Sequence, residues 1–494
     1  MNRPLRHIAI FCGLLVMALL LRANWIQFVK SEPLANHENN RRVKIAQFAT
    51  PRGDIIVGSD AITGSKAVEG TDFKYRRTFK QGPMYAPITG YASQSQGMSL
   101  LEKTYDSILS GQDDRFAFRH AKDVITGEPR RGGSVITTID PKAQKAGYKG
   151  LTDLKARGAV VALEPNTGKV LALVSTPSYD PSVFAGNSFK EGDKFQALVK
   201  DKSKPLANRP LRETFPPGST FKILTAAAAL ENGVVSDVDA RTDAVSPYPL
   251  PLSTNKIGSE AGDAVCNKAS MKTAMQYSCN NVFLDAASKV GDEKMRETAE
   301  KFGFNADVYS EEFGDMLATK SLYPKKLDKP GTALTGMGQG SLTSTPMQMA
   351  MVTAALANDG KLMQPYIVDE LRGPDLSVLE KNEPKLKSQA VSEETAKKVQ
   401  EMMEFTAKEG SAKRALIDGV TVGGKTGTAQ RGVNVNDEVP YGWFVSYGKN
   451  SDGRSVAVAV FIDPTDMDIS RSDISGGRLG APIAKSVMKA VLSK

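Results

Sequence analysis

From Ile8 to Leu21 the chain runs uncharged and mostly apolar; Arg22 interrupts, and Trp25-Ile26-Gln27-Phe28-Val29 resumes the run. Ile8 to Val29 spans 22 residues, enough for one helix to cross a bilayer. Arg22 would lie near the far end, where its long side chain can reach the interface beside Trp25. Arg3, Arg6 and His7 ahead of the run predict a cytoplasmic N-terminus. A cleaved signal peptide has a similar short apolar core, but no clean Ala-x-Ala site follows. An uncleaved membrane anchor over residues 1–30 is therefore the expectation. Cys12 reads as an ordinary membrane-buried residue, because Ala9-Ile10-Phe11-Cys12 matches a lipoprotein signal poorly.

Residues 31–150 are polar and rich in turn residues, with short β-like pieces at 54–57 and 134–138. They read as an elongated pedestal that holds the remainder off the membrane. The pattern then changes. Gly158-Ala159-Val160-Val161-Ala162-Leu163 turns at Asn166-Thr167-Gly168 and returns through Val170-Leu171-Ala172-Leu173-Val174, a hairpin signal. A largely helical middle follows, including 346–357 and 392–408. Strands are predicted at 423–430, 441–446 and 456–462, and a final helix at 481–492. Strands at both ends of 151–494, around a helical middle, predict a sheet assembled from both ends of one domain.

Length and composition add limits. A chain of 494 residues suits two folded regions plus the anchor, and 40% hydrophobic content is globular. The net charge of +9 is dispersed, without a nucleic-acid motif, so no nucleic-acid partner is expected. A mild attraction to anionic lipid or wall polymer accounts for it. No phosphate-cradling glycine loop or metal-ligand cluster occurs, and no cofactor is expected.

Candidate chemistry centres on Ser219-Thr220-Phe221-Lys222. It follows Phe215-Pro216-Pro217-Gly218 and opens the alanine-rich run 223–230, closed by Glu231-Asn232-Gly233. Gly218 permits a tight turn, and Ser219 falls on the first helical turn, where free N–H groups favour developing negative charge. Lys222 lies over the same helix face. A serine hydroxyl needs a base, and the three histidines, His7, His37 and His120, all lie upstream of this region. A lysine is the remaining candidate. Alone, Ser-x-x-Lys is weak: it recurs at Ser253/Lys256, Ser446/Lys449 and Ser486/Lys489, and capping a helix is what such a serine ordinarily does. Ser278-Cys279-Asn280, after a short predicted helix at 271–277, and the unique Lys425-Thr426-Gly427-Thr428-Ala429 change that reading by their order and contexts.

Together these stretches resemble the signature of penicillin-binding proteins and serine β-lactamases. The likeness extends upstream to Arg52-Gly53-Asp54-Ile55-Ile56, Glu102-Lys103-Thr104-Tyr105-Asp106 and Thr137-Thr138-Ile139-Asp140, which resemble ordered markers of class B, transpeptidase-only penicillin-binding proteins, and downstream to 338–348, which looks like the family segment between the second and third motifs. The small size and lack of appended C-terminal modules look most like actinobacterial members of that class. The resemblance implies an α+β fold: a transpeptidase domain of antiparallel sheet flanked by helices, plus a helical subdomain, preceded by the pedestal and one transmembrane helix. It implies a peptidoglycan D,D-transpeptidase that cross-links D-Ala-D-Ala stem peptides and is acylated by β-lactam antibiotics. In that reading Ser219 is the nucleophile, Lys222 its base, Ser278 a proton relay, and Asn280 an orienting amide. Lys425, Thr426, Gly427 and Thr428 hold the substrate's carboxylate, and backbone N–H groups of Ser219 and Thr428 form the oxyanion hole. Trp443 and Phe444 read as core or groove wall. The upstream markers either dock the two regions together or pack internally.

An exterior location is oxidising, so a disulfide between Cys266 and Cys279 is expected, with two buried thiols as the alternative. A D,D-carboxypeptidase would differ only in using water as the acceptor. A β-lactamase suits neither the length nor the anchored pedestal. A β-lactam-binding scaffold would ordinarily lack a catalytic side chain, and a sensor would need a cytoplasmic domain ahead of the anchor. Resemblance to this class further implies work beside a polytopic membrane glycosyltransferase and other cell-wall assembly proteins.

Overall fold

The computed structural model describes residues 3–35, 40–116, 125–126, 130–306, 318–431 and 438–493; His37 and His120 lie outside them. The N-terminal apolar run forms one helix, α1 (Arg3–Val29), long and apolar enough to cross a membrane. None of its residues is buried by the rest of the chain.

Beyond it, strands β1 (Ile55–Val57) and β2 (Asp60–Ala61) form an antiparallel hairpin, and β3 (Ser134–Thr137) pairs parallel to β1. Helix α2 (Pro141–Asp153) begins at Asp140, whose carboxylate accepts from the Lys142 and Ala143 N–H groups. Strands β4 (Arg157–Leu163) and β5 (Val170–Thr176) follow as the hairpin that the apolar alternation predicts. The helical middle contains α3 (Lys222–Glu231), α4 (Met271–Tyr277), α5 (Asn280–Val290) and α6 (Pro346–Ala357). It is not wholly helical. Strand β6 (Val368–Arg372) pairs antiparallel with β3, and β7 (Val378–Lys381) pairs with β6. A five-stranded sheet in the order β7-β6-β3-β1-β2 thus joins segments from distant parts of the chain. The outer strand β7 is mostly exposed and ends on Glu380-Lys381, so it lacks the apolar alternation that announces a strand.

Helix α7 (Glu393–Glu409), β8 (Thr421–Ala429), β9 (Tyr441–Lys449), β10 (Ser455–Asp463) and α8 (Ala481–Leu492) complete the chain. The central sheet runs β8-β9-β10-β4-β5, antiparallel throughout. Its register couples Val460 to Val160 and Lys425 to Val445. Strands β4, β5 and β10 are apolar at nearly every position because both of their faces are covered. Val160, Ala162, Val458 and Val460 pack with Ile483, Ala484 and Val487 of α8 and with Ala143 and Leu151 of α2. Ala159, Val161, Trp443 and Phe461 point the other way, into a core shared with α3, α6 and α7. Helices from the two ends of the folded region therefore cover one face, and the helical middle covers the other. Trp443 and Phe444 are fully buried.

The three upstream markers divide. Arg52 donates to Glu102 at 3.1 Å and to Asp106 at 2.5 Å, and Arg77 donates to Glu102 at 2.6 Å. Arg52, Arg77 and Glu102 are buried, so the first two markers form an internal ion network. The third reaches across: Thr138 Oγ1 donates to the Val170 carbonyl at 2.7 Å, and the Asp140 N–H to the Leu171 carbonyl at 2.9 Å. Ile55, Val57, Leu101 and Val135 join the same continuous core as α3 and α6.

Candidate active site

Ser219 sits on a tight 3₁₀ turn, Gly218–Phe221, that runs directly into α3. Gly218 has φ +53°, and a Cβ there would meet the Thr428 carbonyl oxygen at 2.9 Å. Gly338 backs this turn: its carbonyl accepts from the Gly218 N–H at 3.0 Å, and a Cβ on it would lie 2.0 Å from the Gly218 oxygen. Two glycines in contact therefore set the position of the serine. Lys222 opens α3 one turn later and is fully buried. Its ammonium donates to Asn280 Oδ1 at 2.7 Å, to the Ser278 carbonyl at 2.8 Å and to Ser278 Oγ at 3.3 Å. The Phe283 ring lies beneath it, 5.4 Å from Nζ to the centroid.

Ser278 ends α4 in the left-handed conformation, φ +60° and ψ 37°. A side chain there is uncommon and must be held by its surroundings. Two ties do so. The Cys279 N–H donates to the Ala274 carbonyl at 2.9 Å, and Cys279 is disulfide-bonded to Cys266. Asn280 starts α5; its own N–H donates to Ser259 Oγ at 2.9 Å and its Nδ2 to the Gly258 carbonyl at 2.8 Å.

Lys425 comes from β8, the edge strand of the central sheet. It is fully buried and donates to Ser278 Oγ at 2.9 Å and to the Thr426 carbonyl at 3.0 Å. Gly427 lets the strand approach the serine turn: a Cβ there would meet Thr220 Cγ2 at 2.9 Å. Being an edge, β8 leaves alternate backbone groups unpaired within the sheet, facing that turn. Ser219, Ser278, Thr426 and Thr428 line a single cavity of about 440 Å³. Behind it, Ser278 Oγ connects the two lysines. All the residues of the three motifs thus converge on one place.

Burial dominates the electrostatics. It pushes Lys222 well below the ordinary lysine range, and the positive charge of Lys425 pushes it further. Burial brings Lys425 down to about 7. Glu260, whose carboxylate also lines the cavity, raises both. The arrangement holds, beside a serine hydroxyl, one amine that titrates at about 7 and a second held well below the ordinary lysine range. Titrating groups of that kind are the equipment of proton transfer during acyl exchange.

Sequence reasoning misses Glu260, Ser411, Arg414 and Arg478. Ser411 Oγ lies 2.9 Å from Thr426 Oγ1. Arg478 follows Gly476-Gly477, where a Cβ on Gly476 would meet the Trp443 carbonyl oxygen at 1.6 Å. That glycine pair is the one signal available to find this wall.

Comparison with known proteins agrees with this architecture. Residues 158–489 match the family model of the penicillin-binding protein transpeptidase domain, and 52–135 match that of the penicillin-binding protein A dimerisation domain. The peptidoglycan D,D-transpeptidase PbpA of Mycolicibacterium smegmatis is 34% identical, covering 100% of this chain and 99% of the relative. PbpA of Mycobacterium tuberculosis is 35% identical over the same shares. The M. tuberculosis penicillin-binding protein A structure in a ceftriaxone acyl-enzyme complex superposes with a TM-score of 0.85 at 34% identity, over 91% of this chain and 100% of that one. Its penicillin G acyl-enzyme complex gives 0.82, over 90% and 100%. With the transpeptidase-domain model matching 158–489 and a relative 34% identical over 100% of its length, the chain belongs to the penicillin-binding protein transpeptidase family.

Proposed function

We propose that this D,D-transpeptidase cross-links peptidoglycan through an acyl-enzyme on Ser219. The observation that carries the reading is the bridge Lys222–Ser278–Lys425, formed by side chains from three separate motifs behind the cavity that Ser219 lines. Neutral Lys222 takes the Ser219 proton as Oγ attacks the D-Ala-D-Ala carbonyl. Ser278 passes a proton to the departing D-alanine nitrogen. The C–N bond breaks and the ester remains. An amine from a neighbouring stem peptide then attacks the ester; its proton returns to Ser219 Oγ along the same groups, and the new C–N bond is the cross-link. Asn280 orients Lys222. Lys425, Thr426 and Thr428 receive the donor's terminal carboxylate, with Gly427 allowing the strand its close approach. N–H groups of Ser219 and Thr428 stabilise the oxyanion. β-Lactams enter the same path and stop at the ester.

In this reading residues 1–30 are a membrane anchor with a cytoplasmic tip, 31–150 the pedestal, and 151–494 the transpeptidase domain outside the membrane. The length and composition of α1 support the anchor. A polytopic membrane glycosyltransferase is the proposed neighbour, since a cross-linking enzyme needs freshly made glycan strands. Incubation with labelled penicillin followed by peptide mapping tests the mechanism. Label on the peptide containing Ser219, absent in Ser219→Ala, is the expected result; label elsewhere refutes it.

A further inference from the structure

The cavity beside Ser219 is lined by charges of both signs. Lys413, Arg414 and Arg478 are among the lining residues, and so is Glu260. The three cations are already engaged: Lys413 faces Glu409 at 3.7 Å, Arg478 pairs with Asp473, and Arg414 donates to the Arg478 carbonyl. Glu260 has neither a hydrogen bond nor a direct ion pair among the described residues. It is also solvent-exposed.

The backbone that carries it is nevertheless held in place. Gly258 and Ser259, immediately before it, accept from Nδ2 and N–H of Asn280. Ser259 O accepts the Gly262 N–H at 3.0 Å, closing a turn around Glu260. Cys266, at the end of the following helical turn, is bonded to Cys279. The segment carrying this carboxylate is thus tied at several points to the very residues that hold Lys222. The carboxylate is also near enough to raise the proton affinity of both buried lysines.

We infer that Glu260 is the docking carboxylate for the acceptor amine. The inference rests on the acyl-transfer reading above and names the substrate group that the same site selects. An alkyl amine arrives as a cation at neutral pH, since its pKa lies near 10.4. A carboxylate on an anchored backbone at the cavity wall concentrates that cation beside the ester, whereas water gains nothing from it. The docked ammonium gives one proton to the carboxylate, which passes it to water, and then attacks as the neutral amine; Glu260 thereby biases the acyl-enzyme toward cross-linking and away from hydrolysis.

Partitioning of the acyl-enzyme tests this. The full chain is acylated with a D-alanyl thioester, and acceptors are then compared. Nα-acetyl-lysine amide presents a cationic amine, while hydroxylamine is uncharged at about pH 7.5. Glu260→Gln is expected to raise the lysine-amine concentration for half-maximal aminolysis about tenfold, the scale of losing one charged hydrogen bond. The loss should fall on the cationic acceptor and spare hydroxylamine, and Glu260→Asp should recover most of it. An unchanged half-saturating concentration, or equal losses with both nucleophiles, overturns the inference. A wild-type protein that never acquires an acyl group on Ser219 overturns the underlying reading as well, and is seen before any acceptor is added.

Discussion

At the scale of single residues, two buried lysines with opposite requirements set the expected pH behaviour. Lys222 must be neutral to accept a proton, and its depressed pKa makes that form available well below the ordinary lysine range. Lys425 must be charged to hold a carboxylate, and it loses its proton at about 7. The acylation rate should therefore rise with pH through the Lys222 titration and fall above about 7. Lys425→Arg keeps the charge at all working pH values and should flatten the alkaline fall. Stopped-flow acylation by a chromogenic cephalosporin across pH checks both limbs; an alkaline fall that persists unchanged in Lys425→Arg assigns it to another group. The motif residues were legible because the proposed chemistry calls for those residue types in that order. Glu260 was not. An acidic residue in Ser259-Glu260-Ala261-Gly262-Asp263 has no spacing to distinguish it from an ordinary loop, and only the folded ties to Asn280 give it a role.

At the scale of elements, contacts between the three motif-bearing segments decide whether the site forms. Gly338→Ala would force a Cβ against the Gly218 oxygen at a residue whose φ is +77°. The Ser219 turn must then shift, and acylation should slow by at least about tenfold, since small misplacements of reacting groups are costly. Circular dichroism should show the fold retained; a wild-type acylation rate would show that the turn tolerates the displacement. The Cys266–Cys279 bridge closes a loop with sequence separation 13. On the chain-entropy model, replacing both by Ala should cost about 3 kcal/mol, read from denaturant unfolding. Helices α6, α7 and α8 were legible from apolar periodicity, and their observed bounds lie within a residue of those expected. Helix α2 and strands β6 and β7 were not, because β6 and β7 owe their conformation to pairing with β3 and to each other rather than to their own pattern.

For the whole molecule, the buried Arg52–Glu102–Arg77 network sits beside the apolar core that runs on into the helical middle. Glu102→Ala would leave two guanidinium groups buried without their shared carboxylate. A loss of 3–5 kcal/mol is the scale for such a deletion, and a lowered thermal unfolding midpoint is the expected readout. A midpoint within a degree of wild type would mean water or Asp106 compensates. The overall α+β plan was legible because β4, β5 and β10 are almost continuously apolar and the central strands lie at both ends of one region. The second sheet was hidden because its partners are remote.

That remoteness governs the order in which the chain can be completed. Val135 finds Leu371 as its partner, and at ribosomal speeds of roughly 5–20 residues per second the later strand emerges on the order of ten seconds or more after the earlier one. Until then β3 has a neighbour on one flank only, with its other backbone edge open to any passing strand. Its four-residue length keeps that opening small. The upstream region therefore has no finished form of its own: its last seam is sewn by a segment translated long afterwards. Severing the polypeptide at any one bond between the two would leave both pieces with a frayed border.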